Sequence, residues 1–247
     1  SGLQFKTVPT EDGLLSPELI RRAIRPHSPY MHSTSLIAVE NTHNGAGGKI
    51  LPLETMRGIR DVARETGLPI HMDGARLWHA CAATGLSPAD YGATADTVMV
   101  CLSKGLGAPV GSLLAGSKES MARAWRIRRR LGGGMRQSGF LAAAGIFALE
   151  NHRERLKDDH VRARALADGA RELPGVHVTT PDTNIVMLDL LERGPSVEEV
   201  LAALADDGVL MVPFGPNRLR AVTHLDVDDE GLERALDALR RAVGKGL

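Results

Sequence analysis

The chain has 247 residues, enough to bury a sizeable core as one large domain or two smaller ones. Its 30 basic residues balance its 30 acidic ones, which argues against bulk binding to nucleic acid or anionic membrane, and aromatics at 3% are too few for a base-stacking surface. The two cysteines, Cys81 and Cys101, lie outside any CxxC pair, so neither a disulfide framework nor a zinc site has support.

No apolar run reaches the roughly 18 residues of a membrane span. Residues 1–6 lack the charged-then-apolar layout of a signal peptide, so a cytoplasmic location is expected. In chain order, residues 16–25 read as a short helix, with Ser16 as cap and Pro17 in the first turn. Residues 35–39 are a compact, largely apolar run and read as a buried strand. Residues 52–66 carry Leu53, Met56, Ile59, Val62 and Ala63 at helical spacing and stop at Gly67. Residues 68–72 form the next strand, with Asp73 at its carboxyl end, and a helix follows from Ala75 to Ala83. Residues 97–102 are the strand that delivers Ser103 and Lys104, and residues 110–115 are another. Helices over 118–130 and 136–150 come next.

Strands alternating with helices imply an α/β fold, a mostly parallel sheet with helices on both faces. After Glu150 a charged helix over 152–172 leads to strands near 176–180, 184–190, 209–213 and 218–224, then a helix over 228–243. This mix predicts a large domain over 1–152 and a smaller C-terminal α+β domain over 153–247. No internal repeat interrupts the pattern.

Two clusters carry the chemistry. In His71-Met72-Asp73-Gly74-Ala75-Arg76, the carboxylate stands where a strand yields to a helix, the place where open α/β sheets bind ligands. Alone, Asp73 reads more readily as a helix cap. In Cys101-Leu102-Ser103-Lys104-Gly105-Leu106-Gly107, a lysine ends an apolar strand and glycines let backbone approach a flat ligand. A desolvated amine in such a place forms an imine with an aldehyde. Alone, Lys104 reads as a snorkelling lysine before a turn. Together they lie one βαβ step apart at neighbouring strand ends, facing one crevice. A ring bound between them would meet the acid at its nitrogen and the amine at its aldehyde.

Glu40-Asn41-Thr42-His43-Asn44, Asp73-Gly74-Ala75-Arg76, the run from Leu102 to Ser112, Gly132-Gly133-Gly134-Met135-Arg136-Gln137 and the run from Arg220 to Val227 stand in this order. The chain thereby resembles the low-specificity L-threonine aldolases. These are fold-type-I pyridoxal-phosphate enzymes of the β-eliminating lyase group. The resemblance runs from about Thr7 to the end. It implies that Lys104 bonds to pyridoxal 5′-phosphate and that Asp73 pairs with the pyridine nitrogen. It implies that Arg76 and Arg220 grip the substrate carboxylate, Arg76 also lining the cofactor site, and that Arg136 approaches the cofactor phosphate, across a subunit interface. It further implies a homo-oligomer, dimer or tetramer, acting on a small amino acid. The expected reaction cleaves L-threonine, L-allo-threonine and related β-hydroxy-α-amino acids to glycine and an aldehyde.

Some positions depart from the family. The N-terminal portion with its phosphate-binding turn, ring-stacking histidine and early serine has no counterpart here, so the chain reads as incomplete at that end. Tyr30, with His32 close by, stands where some relatives have a second active-site histidine, and the general base is left open. His43 is a candidate for it, although a histidine near a strand end is more often structural. His71, His79 and His224 follow no metal-ligand spacing. Arg126-Ile127-Arg128-Arg129-Arg130 reads as a solvated helix face or a subunit contact. Two other readings remain open: a different reaction on the same cofactor (β-elimination, transamination or racemisation), or an inactive fragment that serves as a binding module.

Overall fold

The computed structural model describes residues 2–191 and 194–244. Its first sheet takes β1 (Ile37–Glu40), β2 (Ile70–Gly74), β3 (Thr97–Cys101) and β4 (Ser112–Gly116) in that order. β1, β2 and β3 are parallel, and β4 runs antiparallel to β3. The alternation along β2 explains its role. Ile70 and Met72 are fully buried while His71 and Asp73 face the other way, half-exposed. Register pairs Glu40 with Asp73 and Asp73 with Met99, so polar groups from two strands share one end of the sheet.

α1 (Pro17–Ala23) is capped by the Ser16 side chain, which accepts from the Leu19 amide, as its sequence requires. α2 (Leu53–Thr66) buries Met56, Ile59, Val62 and Ala63, the stripe read from spacing, and ends on Gly67 in the left-handed conformation. α3 (Leu77–Thr84) follows β2 and α4 (Pro88–Gly92) leads into β3. α5 (Lys118–Arg130) and α6 (Gly139–Asn151) follow β4. α5 keeps its predicted bounds and has no buried residue, as a solvated arginine face would.

A second sheet has the order β5-β6-β8-β7, all antiparallel, from β5 (Val176–Val178), β6 (Ile185–Leu190), β7 (Val212–Pro213) and β8 (Arg218–Val222). α7 (Leu156–Arg171), α8 (Val197–Asp206) and α9 (Asp229–Gly244) pack on it. Leu166, Val186, Leu188, Val200, Leu204, Leu219 and Leu239 form its core. A separate core holds Ile37, Val39, Met56, Ile59, Ile70 and Met72 under the first sheet. Between them, Leu102, Leu106, Ala108, Ala148 and Leu156 make a third cluster, which joins the loop after β3 to α6 and α7.

Two elements escaped the sequence reading. α8 carries a capping box between Ser196 and Glu199, a local signal of a helix start. α4 is too short for periodicity. The strand expected over 209–213 shrinks to Val212–Pro213, because the Val209 amide donates back to the Leu204 carbonyl of α8 at 2.8 Å instead of entering the ladder. The first sheet is mixed rather than wholly parallel because the loop from Leu102 to Gly111 doubles back as a hairpin, with the Leu102 amide donating to the Gly111 carbonyl at 2.9 Å.

Candidate active site

β2 and β3 deliver the acid and the amine to the same edge of the sheet. Asp73 Oδ1 accepts from the Ala75 amide at 3.0 Å, a local turn that fixes the carboxylate at the end of its strand. It makes no ion pair among the described residues. Lys104 stands three residues beyond the end of β3. Its carbonyl accepts from the Gly107 amide at 2.8 Å, which closes a turn over 104–107. The lysine is exposed rather than desolvated, since the turn carries its side chain out past the strand end. Among the described residues its Nζ has no hydrogen-bond or ionic partner, so the amine is free for an incoming group.

The two arginines meet. Arg76 Nη1 donates to Asn44 Oδ1 at 3.1 Å, and Arg220 Nη1 donates to the same oxygen at 2.9 Å. Arg220 comes from the centre of the second sheet, so this one amide oxygen bridges residues far apart in the chain. The Arg220 guanidinium also lies 5.0 Å from the centre of the Phe214 ring, a cation–π contact that fixes its plane. Its buried Nε has no partner among the described residues. Burial pushes the Arg76 pKa down, and the neighbouring Arg220 charge pushes it further, against the opposing pull of Glu40, Cys101 and Asp73. Two cations thus share one neutral acceptor, an arrangement that a carboxylate would complete.

Asn44 carried no role in the sequence reading, although it lies inside a quoted motif. Its backbone amide donates to Glu40 Oε1 at 3.0 Å, which sets the start of the short turn at 44–46. His43 precedes it. Its Nε2 lies 3.7 Å from Glu40 Oε2, and its buried Nδ1 has no partner. His43 also lines a cavity of about 470 Å³ with Asp12, Lys49, Met187 and Arg218; that cavity reaches neither Asp73 nor Lys104. His71 bonds Thr97 through its ring at 2.8 Å and is structural, while His224 lies 3.5 Å from the Asp226 carboxylate on the surface. Arg136 is exposed on the loop between α5 and α6 and makes no hydrogen bond among the described residues, so this chain by itself does not gather it into the cluster. No group of three metal-ligating side chains occurs among the described residues.

The fold is one shared with solved threonine aldolases and aminotransferases. A threonine aldolase of Leishmania major shares it with a TM-score of 0.75 at 20% identity, over 95% of this chain and 69% of that one. A Thermus thermophilus aspartate aminotransferase variant shares it at 0.68 and 19% identity, over 96% of this chain and 66% of that one.

The chain belongs to the β-eliminating lyase family, whose model matches residues 1–193. It is 37% identical over 248 residues to low-specificity L-threonine aldolase 1 of Arabidopsis thaliana, covering 98% of this chain and 69% of the relative. With the low specificity L-threonine aldolase of Escherichia coli K12 it shares 40% over 221 residues, covering 90% of this chain and 64% of the relative. Enzymes of this family depend on pyridoxal 5′-phosphate. The residues present fit that cofactor's ring: an exposed amine and a strand-end carboxylate, neither with an ionic partner among the described residues, follow adjacent parallel strands. Gly74 serves the sheet itself, since a Cβ there would come within 2.7 Å of the Met99 carbonyl oxygen.

Proposed function

We propose that the chain is the cofactor-bearing part of an aldolase that cleaves L-threonine, L-allo-threonine and related β-hydroxy-α-amino acids to glycine and an aldehyde. The observation that carries this reading is the convergence of Arg76 and Arg220 on one amide oxygen. An amino-acid carboxylate would take that oxygen's place and accept from both guanidinium groups. The substrate is then held by its carboxylate, which orients the bond between Cα and Cβ.

Bound pyridoxal 5′-phosphate supplies an aldehyde for the substrate amine and a ring that accepts the electron pair left at Cα. Lys104 offers the amine that holds the cofactor between turnovers. Asp73, with no ion-pair partner among the described residues, would hold a proton on the ring nitrogen. His43, next to Asn44 in the chain and with no partner for its Nδ1 among the described residues, is a candidate to take the proton from the β-hydroxyl, although the cavity it lines does not reach Lys104. Arg136 serves the cofactor phosphate from a neighbouring subunit of a homotetramer, a role supported by its isolation within this chain. Residues 1–152 form the cofactor-binding domain and 153–247 the smaller one, a division supported by the two separate sheets and cores. No described helix is long and apolar enough to cross a membrane; we place the enzyme in the cytoplasm.

The test is a product assay on the full-length protein. Wild type releases glycine and acetaldehyde from threonine, and Lys104→Ala does not. Glycine released by the variant at the wild-type rate, or pyruvate and ammonia in place of glycine, would sink the reading.

A further inference from the structure

We propose that Arg155, at the start of α7, is a positioning residue for Lys104: it fixes the Gly105 carbonyl and so sets where the lysine amine stands. The inference rests on the reading of Lys104 as the cofactor lysine and extends it to a residue in the following domain.

Arg155 Nη1 donates to the Gly105 carbonyl at 3.3 Å, on the residue next to Lys104. Its Nη2 is paired with Asp159, one helical turn on. Asp159 is completely buried, and its second oxygen has no partner. Burial raises its pKa against the pull of Arg155. Burying such a pair contributes little to stability, because desolvation offsets the attraction. A single donor joining it to a carbonyl beside Lys104 gives the pair a different use, to aim a loop.

The neighbouring contacts fit that use. The ring of His152 bonds the Leu106 carbonyl through Nδ1 at 2.6 Å, so two successive carbonyls after Lys104 are held by side chains from one short stretch. Leu106 and Leu156 are each 1% exposed and pack in one cluster. On the other side stands His79. A Cβ on Gly105 would collide with its Nε2, and would meet the Leu156 side chain at 2.8 Å. The His79 ring bonds that of His160 at 2.9 Å, which ties α3 to α7 behind the loop. The Thr223 hydroxyl donates to the Asp159 carbonyl at 2.6 Å, adding an anchor just beyond β8. The charged groups that act on Asp159 are Arg155, Arg162 of α7 and His224 after β8, and those that act on His79 are His160 of α7, Arg76 just before α3 and Arg155. Backbone at 105 and 106 is fixed from several sides, and what stays free is the Lys104 side chain.

The experiment uses the full-length enzyme loaded with pyridoxal 5′-phosphate, with Arg155→Gln, Arg155→Lys, the double variant Arg155→Gln with Asp159→Asn, and Lys104→Ala. Arg155→Gln should lower kcat roughly ten- to hundredfold while KM stays within about threefold, the signature of a misplaced reacting group rather than lost binding. The pH midpoint of the cofactor's visible band should move by about half a unit or more, since the amine meets the ring in a changed setting. Arg155→Lys should restore part of both. The double variant leaves no unpaired buried charge, so it separates a positioning loss from a folding loss. If the folded double variant keeps wild-type kcat and band midpoint while Lys104→Ala loses the band, Arg155 does not position the lysine. If Lys104→Ala keeps the band, the reading of Lys104 fails first and this inference fails with it.

Discussion

Two stretches on either side of β4 obey opposite rules. The loop from Leu102 to Ala108 buries Leu102, Leu106 and Ala108 and has its carbonyls bound by His152 and Arg155. The stretch from β4 through α6 is as apolar and far less covered: every residue of β4 is exposed, α5 buries nothing, and α6 buries Gly145 and Ala148 alone. Trp125, Leu131, Met135, Phe140 and Phe147 all face outward. Lys104 sits on the first stretch and Arg136 on the second. A group that must meet a reacting atom within a fraction of an ångström belongs on backbone that cannot shift, and Lys104 has such a support. Arg136 has none within the described residues.

Leucine truncation gives the sharpest contrast. Leu106→Ala should destabilise the protein by about 2–5 kcal/mol in a denaturant melt, because it opens a cavity in the third core under the lysine. A loss below about 1 kcal/mol, the range of tolerated core swaps, would mean that the loop is not locked.

Glycines offer the same comparison at smaller scale. Gly105→Ala forces a methyl against His79 and Leu156, an overpacking cost of about 1–3 kcal/mol. Gly139→Ala, at the first position of α6, meets no atom within 4 Å and should stabilise by a few tenths of a kcal/mol, less than the roughly 0.5–1 kcal/mol of a mid-helix site. Thermal melts of both variants against wild type check the signs; equal shifts would erase the distinction.

How far the sequence alone could go follows the same line. α2 and α5 were readable because a periodic stripe and end signals agree within one element. Asp73 and Lys104 were readable because strand ends in a βαβ unit share an edge by topology. Asn44 was not: its role arises only when β8 brings Arg220 beside Arg76, a meeting across the chain that no local pattern encodes. Arg155 reads as one arginine on a charged helix until Gly105 is seen against it. Long-range partners of single polar atoms are the part that spacing does not carry.

The buried histidines behind the lysine loop make the comparison depend on pH. Burial, with the charge of the neighbouring groups, holds His79 down to about 3, and burial brings His160 to about 4. Both are neutral in the folded chain at pH 5, whereas a free imidazole, at 6.5, is mostly protonated. The unfolded chain therefore binds more protons below 6.5, and stability falls as pH drops from there toward 4, with no such effect above 7. For His79 alone the loss at pH 5 is about 2 kcal/mol. Protonation of Asp159, whose pKa burial raises, works in the opposite direction. Melting wild type and His79→Asn from pH 7.5 to 5 measures the difference. A wild-type slope as shallow as the variant's would show that these rings are not held neutral.

The smallest effect belongs to the uncovered stretch and tests it from the other side. Leu131 is 81% exposed at the end of α5, so Leu131→Ala removes surface already in water and should change stability by no more than about 0.5 kcal/mol. The same truncation at Leu106 differs only in its surroundings, so the ratio of the two costs measures coverage directly. A cost at Leu131 close to that at Leu106 would mean that this apolar surface is covered in the protein as it is folded. In that case Arg136, five residues on, would stand on backbone as firmly held as that of Lys104, and the contrast between the two stretches would disappear.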